Sequence, residues 1–387
     1  MTTQVRGYIH TLLLAVVSIM VVLNIFMNPK LTFEASLQSL QIWWEIIFPA
    51  LLPFLILTEI LMALGLLHTM SKSFEPLMTT LFRLPGIAAV IMATGCIAGY
   101  PAGAKMTATL RQHHFITRQE GEKLLILSHM TNPIFIIMVI GVGFLQHSPY
   151  GWLLLITHLC SVFIMTIILK YIFHSSTTHD NHPTLKQHEV LAFLNANKTL
   201  SFGKVLGDAV SNSIQTLMLI GGIMMFFSVM IQMITISFTP APWTIPWISG
   251  ALEMHLGAYF TSVNIQHHPV LQLAILSAIV TWSGLSTLMQ VRAIISNIDL
   301  RFSVFVVFKS IQTIIAFMLM WILYPAFTYL WDQSNTVAVS TQQVIRENFA
   351  VPSPFTIACY SLLAFTALLC FMSLSSYLIS IFNSKNQ

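Results

Sequence analysis

Between Lys123 and Lys170 the chain carries no Asp, Glu, Lys or Arg. About 20 apolar residues cross the hydrocarbon core of a bilayer, so this stretch has room for two spans. The composition makes membrane insertion the reading for the whole chain. Of 387 residues, 17 are Lys or Arg and 13 are Asp or Glu, which is 8% charged, while 56% are hydrophobic. A soluble domain averages about 25% charged residues. Soluble globular, disordered and nucleic-acid-binding classes are thereby excluded, because each needs charge that is absent here. An all-α polytopic membrane protein remains, long enough for roughly seven to ten crossings. Its net charge of +4 records which loops face the cytoplasm and says little about partners.

The apolar runs are punctuated. Tyr8 to Met27 follows Arg6 and has no A-x-A site after it, so it reads as a first transmembrane helix and not a cleaved leader. Trp43 to Leu67 is a second span, interrupted by Pro49 and Pro53. His68 to Leu84 is amphipathic and fits the interface. Residues 86–112 hold an apolar half, the break Gly99-Tyr100-Pro101-Ala102-Gly103-Ala104-Lys105, and a second half. The charge-free stretch holds two spans hinged at 146–151, the first broken at Asn132-Pro133. A polar segment over 174–203 divides the chain, and Gln215 to Phe238 follows it as a span. Residues 240–263, with three prolines, read as irregular or interfacial. Residues 270–296 again show an apolar half, a small-residue break at Ser283-Gly284-Leu285-Ser286, and a half ending near Arg292. Spans over 302–327 and 355–382, with a polar loop between them, complete the chain.

Two interrupted segments in corresponding positions suggest a duplication, with Gly99 laid on Gly284, and such pairs mark transporter binding sites. Lys72, Arg83, Arg111, Arg118 and Lys123 flank both ends of 86–112. They share one cytoplasmic face only if this segment is a re-entrant hairpin. An inverted repeat makes 270–296 a second hairpin, although Arg292 and Arg301 then lie outside, against the charge rule. The expected architecture is therefore about seven transmembrane helices plus two re-entrant helical hairpins in two inverted repeats. The divisions fall at 1–35, 36–173, 174–203, 204–330 and 331–387, with the N-terminus inside and the C-terminus outside.

No nucleotide, zinc-protease or nucleophile-elbow motif is present, so the expected protein is not an enzyme. The fourteen histidines show no metal spacing, and the four cysteines read as core. The costly residues at membrane depth carry more information. Lys105 follows the first break, where a half-helix N-terminus offers free N–H groups to an anion; its alternative is to snorkel to the surface. Ser283, Gly284 and Ser286 would supply the facing tip, or merely pack small against a helix. Thr131 and Asn132 expose carbonyls beside Pro133 that lipid cannot satisfy. Glu253 would neutralise a coupled H+ or Na+, or pair with Arg292 or His255, and Arg292 is an electrostatic anchor. No resident cofactor is expected. The expected partners are a small anionic substrate, the lipid bilayer and a second copy of the chain, with no nucleic acid.

Three groups of segments together resemble a known family. They are Gly99-Tyr-Pro-Ala-Gly-Ala-Lys; Phe115-Ile-Thr-Arg-Gln-Glu-Gly-Glu-Lys with Thr131-Asn-Pro-Ile-Phe-Ile-Ile; and Ser283-Gly-Leu-Ser-Thr-Leu-Met-Gln-Val-Arg with Gly250-Ala-Leu-Glu-Met-His-Leu-Gly. They look like the YlbJ (SpoVV) family of sporulation integral membrane proteins, in the nucleoside-recognition (Gate) membrane group, and the likeness spans roughly residues 36–323. The resemblance implies an architecture similar to concentrative nucleoside transporters. It also implies movement of dipicolinate across the outer forespore membrane of a sporulating cell. Substrate contacts fall on Gly99, Tyr100, Gly103, Ala104, Lys105, Thr131, Asn132, Ser283, Gly284, Ser286 and Gln290. The rival readings are a non-transporting scaffold for spore envelope assembly and a nucleoside-type transporter.

Overall fold

The computed structural model describes residues 3–63, 76, 78–173 and 202–348, and all of its regular structure is helical. Helix α1 is Thr3–Met27. Helix α2 is Pro29–Ala63, starting well before the expected Trp43 because Pro29 sits at its first turn, where a missing N–H costs nothing. It widens to π-helix over Trp43–Ile47. Helices α3 (Ala88–Ala98), α4 (Ala102–Gln112), α5 (Arg118–Leu127) and the π-helical α6 (Phe135–Phe144) precede the long α7 (Ser148–Ile172). The second half comprises α8 (Phe202–Phe238), α9 (Ile245–Leu252), α10 (Met254–Asn264), α11 (Pro269–Trp282), α12 (Gly284–Ile294) and α13 (Phe302–Asn348). Among the described residues, five stretches are long and apolar enough to cross a membrane: 29–63, 148–172, 202–238, 269–294 and 302–331. The expected linker at 174–203, except its last two residues, which begin α8, and the C-terminal helix at 355–382 lie outside the described residues. So does most of the expected interfacial segment. Part of the expected loop after 331 continues α13, which is helical to Asn348.

In lipid there is little hydrophobic drive to bring helices together, so close approach and hydrogen bonds must do it. The α2–α8 seam shows both. Trp43 Nε1 donates to the Leu217 carbonyl at 2.9 Å, and its ring lies where Gly221 would carry a Cβ. Ser228 Oγ donates to the Ala35 carbonyl at 2.7 Å. Helix α6 meets α7 through Gly141 and Gly151, where a Cβ on Gly141 would fall 2.8 Å from the Gly151 Cα.

Among the described residues, two reversals between short helices build the site, and one of them differs from expectation. Helices α3 and α4 pack on each other across Gly99-Tyr100-Pro101. The second reversal is between α9 and α10, in the stretch expected to be irregular. Its tip is Glu253, and a Cβ on Gly257 would fall 2.2 Å from the Gly250 Cα, so the two arms are in backbone contact. Residues 270–296 are not a hairpin. Ser283 takes a left-handed φ of 71°, and α11 and α12 run on past it without folding back on one another. Gly99 and Gly284 both have positive φ, 74° and 81°, which is why their surroundings look alike in sequence. One closes a helix before a reversal and the other opens a helix after a kink.

This shifts the register of the repeat. The order hairpin, broken helix, long helix occurs twice, as α3–α4, α5/α6, α7 and as α9–α10, α11/α12, α13. Packing follows the same rule in both halves. Helix α5 lies on α4 as α11 lies on α10, while α6 crosses to α10 as α12 crosses to α4. Helix α7 touches α11 as α13 touches α5. The Gly99 tip therefore corresponds to the Glu253 tip, and the Ser128–Pro133 break corresponds to Ser283.

Candidate functional site

Both tips and both breaks meet around one cavity of about 90 Å³. The first tip supplies Gly99, Tyr100 and Pro101, and the second supplies Glu253, Met254 and His255. The first break supplies Thr131 and Asn132. The opening turns of α12 supply Ser286, Thr287 and Gln290, and α2 and α8 close the wall with Leu51, Leu55, Thr216 and Ile220.

Asn132 explains how the first break is held. Its Nδ2 donates to the Ile97 carbonyl at 2.8 Å, taking an acceptor left over at the end of α3. Its Oδ1 accepts from the Ile134 N–H at 2.7 Å, capping the start of α6. Thr131 Oγ1 donates to the Val280 carbonyl at 2.8 Å and lies 3.3 Å from the Tyr100 hydroxyl, which also contacts the Met254 sulfur. One break is thus tied to the other and to both tips.

Glu253 is 2% exposed. It caps α10 by accepting from the Leu256 N–H at 2.8 Å, and its other oxygen lies 2.6 Å from His255 Nδ1. Its partner is therefore His255, one of the two candidates named in the sequence. The tip it forms rests on Gly284, where a Cβ would fall 3.0 Å from the Glu253 Cα, the Leu252 carbonyl oxygen and the Met254 nitrogen.

Gly99, Tyr100, Thr131, Asn132, Ser286, Gln290 and Glu253 line the cavity. Ser283 and Gly284 sit just behind it as the hinge. Gly103 packs against Ser128, where a Cβ would fall 2.5 Å from the carbonyl oxygen, and Ala104 belongs to the apolar core beneath. Lys105 is exposed and is not among the lining residues. The first turn of α4 carries Gly103 and Ala104 inward, which turns position 105 outward. Arg292, in the last turn of α12, is exposed too, with its guanidinium carbon 5.7 Å from the Phe302 ring centroid. Among the described residues, no Lys or Arg lines the cavity.

Sequence reasoning missed a buried polar layer behind the breaks. His129 stacks on Tyr100 with ring centroids 4.7 Å apart, and its Nε2 lies 2.8 Å from Ser283 Oγ. His158 Nδ1 lies 3.2 Å from Thr281 Oγ1, and its Nε2 accepts from the Thr131 N–H at 3.4 Å. Lys309 donates to the His129 carbonyl at 2.8 Å. In sequence these are single polar residues in apolar runs; the one available signal was Lys309, the sole charge in 302–331, and it was not read.

At the end of the molecule holding the α12–α13 connection, two ion pairs join the halves. Arg111 Nε and Nη2 donate to the two Asp299 oxygens at 2.9 and 2.8 Å. Arg301 Nε and Nη2 donate to the two Glu122 oxygens, both at 2.7 Å. The Arg111 hydrogen bonds hold the Asp299 carboxyl below its ordinary range.

Paired helix breaks around one cavity, in a chain whose described residues include five stretches long and apolar enough to cross a membrane, define a transporter-like polytopic membrane protein. A family model described as Gate, nucleoside recognition, matches residues 44–148. The sporulation integral membrane protein YlbJ of Bacillus subtilis (strain 168) is 32% identical over 381 residues, covering 89% of this chain and 92% of that protein. The chain belongs to the YlbJ family of sporulation integral membrane proteins. No solved structure matches it.

Proposed function

We propose that this protein moves a small carboxylate, dipicolinate foremost, across the outer forespore membrane of a sporulating cell. The two halves act as inverted repeats in alternating access, and no covalent chemistry is involved. The observation that carries the reading is Ser286. The residue is 6% exposed and lines the cavity, and its buried hydroxyl has no hydrogen-bond partner among the described residues. A buried polar group left unpaired costs about 1–3 kcal/mol, and a ligand in the cavity would remove that cost.

Anion recognition is assigned away from Lys105. The N-termini of α4 and α12 offer backbone N–H groups beside the lining residues Pro101 and Ser286. The Glu253 carboxylate opposes an anion less than its charge suggests, because it is already engaged by His255 and the Leu256 N–H. A second reading, a nucleoside-type substrate, is favoured by the neutral lining: Asn132, Thr287 and Gln290 for hydrogen bonds, Tyr100 and Phe135 for stacking.

Reconstituting the full chain in liposomes and measuring uptake of labelled dipicolinate beside labelled uridine decides between them. Dipicolinate uptake that uridine does not compete supports the first reading, and the reverse supports the second. Uptake of neither, with a folded protein, favours a scaffold in spore envelope assembly. The coupling ion of this reading is H+ or Na+, and a second copy of the chain remains a proposed partner.

A further inference from the structure

Lys309 lies outside the cavity and has no part in the reading above. It is 1% exposed, on a helix apolar enough to cross a membrane. Its Nζ donates to the His129 carbonyl at 2.8 Å and to Gln312 Oε1 at 3.0 Å. Gln312 Nε2 in turn donates to Ser161 Oγ at 3.3 Å, fixing the amide. Among the described residues Lys309 has no carboxylate partner. A cation at membrane depth without a counter-ion is expensive and is kept where it has a use.

Two features of its surroundings say what that use is. The His129 carbonyl directly follows Ser128, the C-cap of α5, so Lys309 sits at the negative end of a half-helix. Unwound carbonyls and half-helix C-termini are the groups that hold coupling cations in transporters with broken helices. Here that position is filled by a side chain. The second feature is the donor count. A neutral amine has two N–H donors and an ammonium three, and the site presents two acceptors, the His129 carbonyl and Gln312 Oε1. The third proton can leave without breaking a hydrogen bond, so the site accommodates both charge states with the same geometry.

The neighbouring titratable groups come from two elements. The break after α5 brings the His129 ring, whose Nδ1 is buried without a partner among the described residues. Helix α7 brings His158, held by Thr281 and the Thr131 N–H. Helix α11 contributes none, and Glu122 on α5 is committed to Arg301. A mechanical link to the cavity runs through the same residue. The His129 ring stacks on the lining residue Tyr100 and meets the hinge residue Ser283, so movement of the first tip or the second break displaces the carbonyl that Lys309 holds.

We propose that Lys309 is the proton-binding site that couples transport to H+, in place of a sodium site. The step is one N–H bond: Nζ takes a proton from water on one side of the membrane and returns it to water on the other. The proposal rests on the transport reading above and selects between its two coupling ions.

The test uses the full chain in liposomes with labelled dipicolinate, sodium-free, and protein-free liposomes as the baseline. With one proton per substrate, each unit of imposed pH gradient shifts steady-state accumulation by up to about tenfold, and an internal pH dye reports a matching proton flux. Lys309→Met should still equilibrate dipicolinate down its own gradient, with the pH-driven accumulation lost. Lys309→Arg, which keeps a charge that cannot leave, should lose accumulation as well. Undiminished accumulation by Lys309→Met, or wild-type accumulation driven by a sodium gradient alone, overturns the proposal. If Lys309→Met does not fold, the wild-type proton flux decides, and its absence overturns the proposal. If the wild type takes up neither dipicolinate nor uridine, the transport reading fails. The proton site is then judged by thermal midpoints of wild type and Lys309→Met from about pH 5.5 to 9. A difference that changes with pH supports it, and a constant difference overturns it.

Discussion

Replacing Gly284 by alanine tests the corrected register of the fold. Position 284 has φ 81°, and a non-glycine residue there costs about 1–2 kcal/mol. The added Cβ would also stand 3.0 Å from three backbone atoms of the second tip, at Leu252, Glu253 and Met254. Backbone cannot swing aside as a side chain can, and overpacking of this kind costs about 1–3 kcal/mol. The sum is about 2–5 kcal/mol. Gly222 on α8 is the internal control, since a Cβ there meets nothing within 4 Å. Gly222→Ala should gain about 1 kcal/mol from helix propensity alone. The assay is thermal unfolding of the purified full chains in one detergent. At roughly 2 °C per kcal/mol, the two variants should melt on the order of 6–12 °C apart, with Gly284→Ala the lower. Equal midpoints would mean that the second tip does not rest on Gly284, and the paired-break geometry of the cavity would fall with it.

Ser286→Ala should raise the KM for the transported solute about five- to tenfold, the worth of one hydrogen bond, while leaving the thermal midpoint unchanged or higher, because it removes an unsatisfied hydroxyl. Lys105→Ala should leave uptake within about twofold of wild type, since the side chain is exposed and off the cavity; a complete loss would restore Lys105 to the site. Asn132→Ala should cost about 2–3 kcal/mol, because two hydrogen bonds are lost and the Ile97 carbonyl and Ile134 N–H are orphaned together; an unchanged melting midpoint would refute its role as the tie. The Arg111–Asp299 pair has a defined pH sign. Arg111 depresses the Asp299 carboxyl below its ordinary 3.8, so the contribution is complete above that value and is lost only as pH falls through the lower folded one. The Asp299→Asn effect on thermal midpoint should therefore be constant from about pH 5 to 9 and shrink between about 0.1 and 1 M salt; growth of the effect with salt would argue against an ion pair.

The membrane class, the hairpin break at Gly99-Tyr100-Pro101 and the break at Asn132-Pro133 were legible because each is punctuated locally, by charge scarcity, glycine or proline. Much of the cavity lining followed, since residues at such breaks face protein or water and not lipid. The second reversal was not legible. Glu253 turns the chain in an extended conformation with no glycine at the tip, whereas Ser283-Gly284 shows the stronger break signal and yet only kinks a continuing path. Local sequence reports that a helix stops; whether the next one folds back depends on what the arms pack against. Lys105 shows the same limit on a smaller scale, because the face of α4 that points inward is set by Ser128 pressing on Gly103.

The sequence by itself determined that this chain lives in a bilayer, where its helices are interrupted, and which family it resembles. These are consequences of transfer free energy and backbone chemistry, which act residue by residue. Tertiary structure alone decided which interruptions face one another, and therefore that Glu253 and not Ser283 is the second tip. It also decided that Lys309, 180 positions from His129, ends against the carbonyl of a broken helix. A lone lysine in an apolar run carries its cost in the sequence, but its His129 partner comes from the other half of the chain, and only packing brings the two within hydrogen-bonding distance.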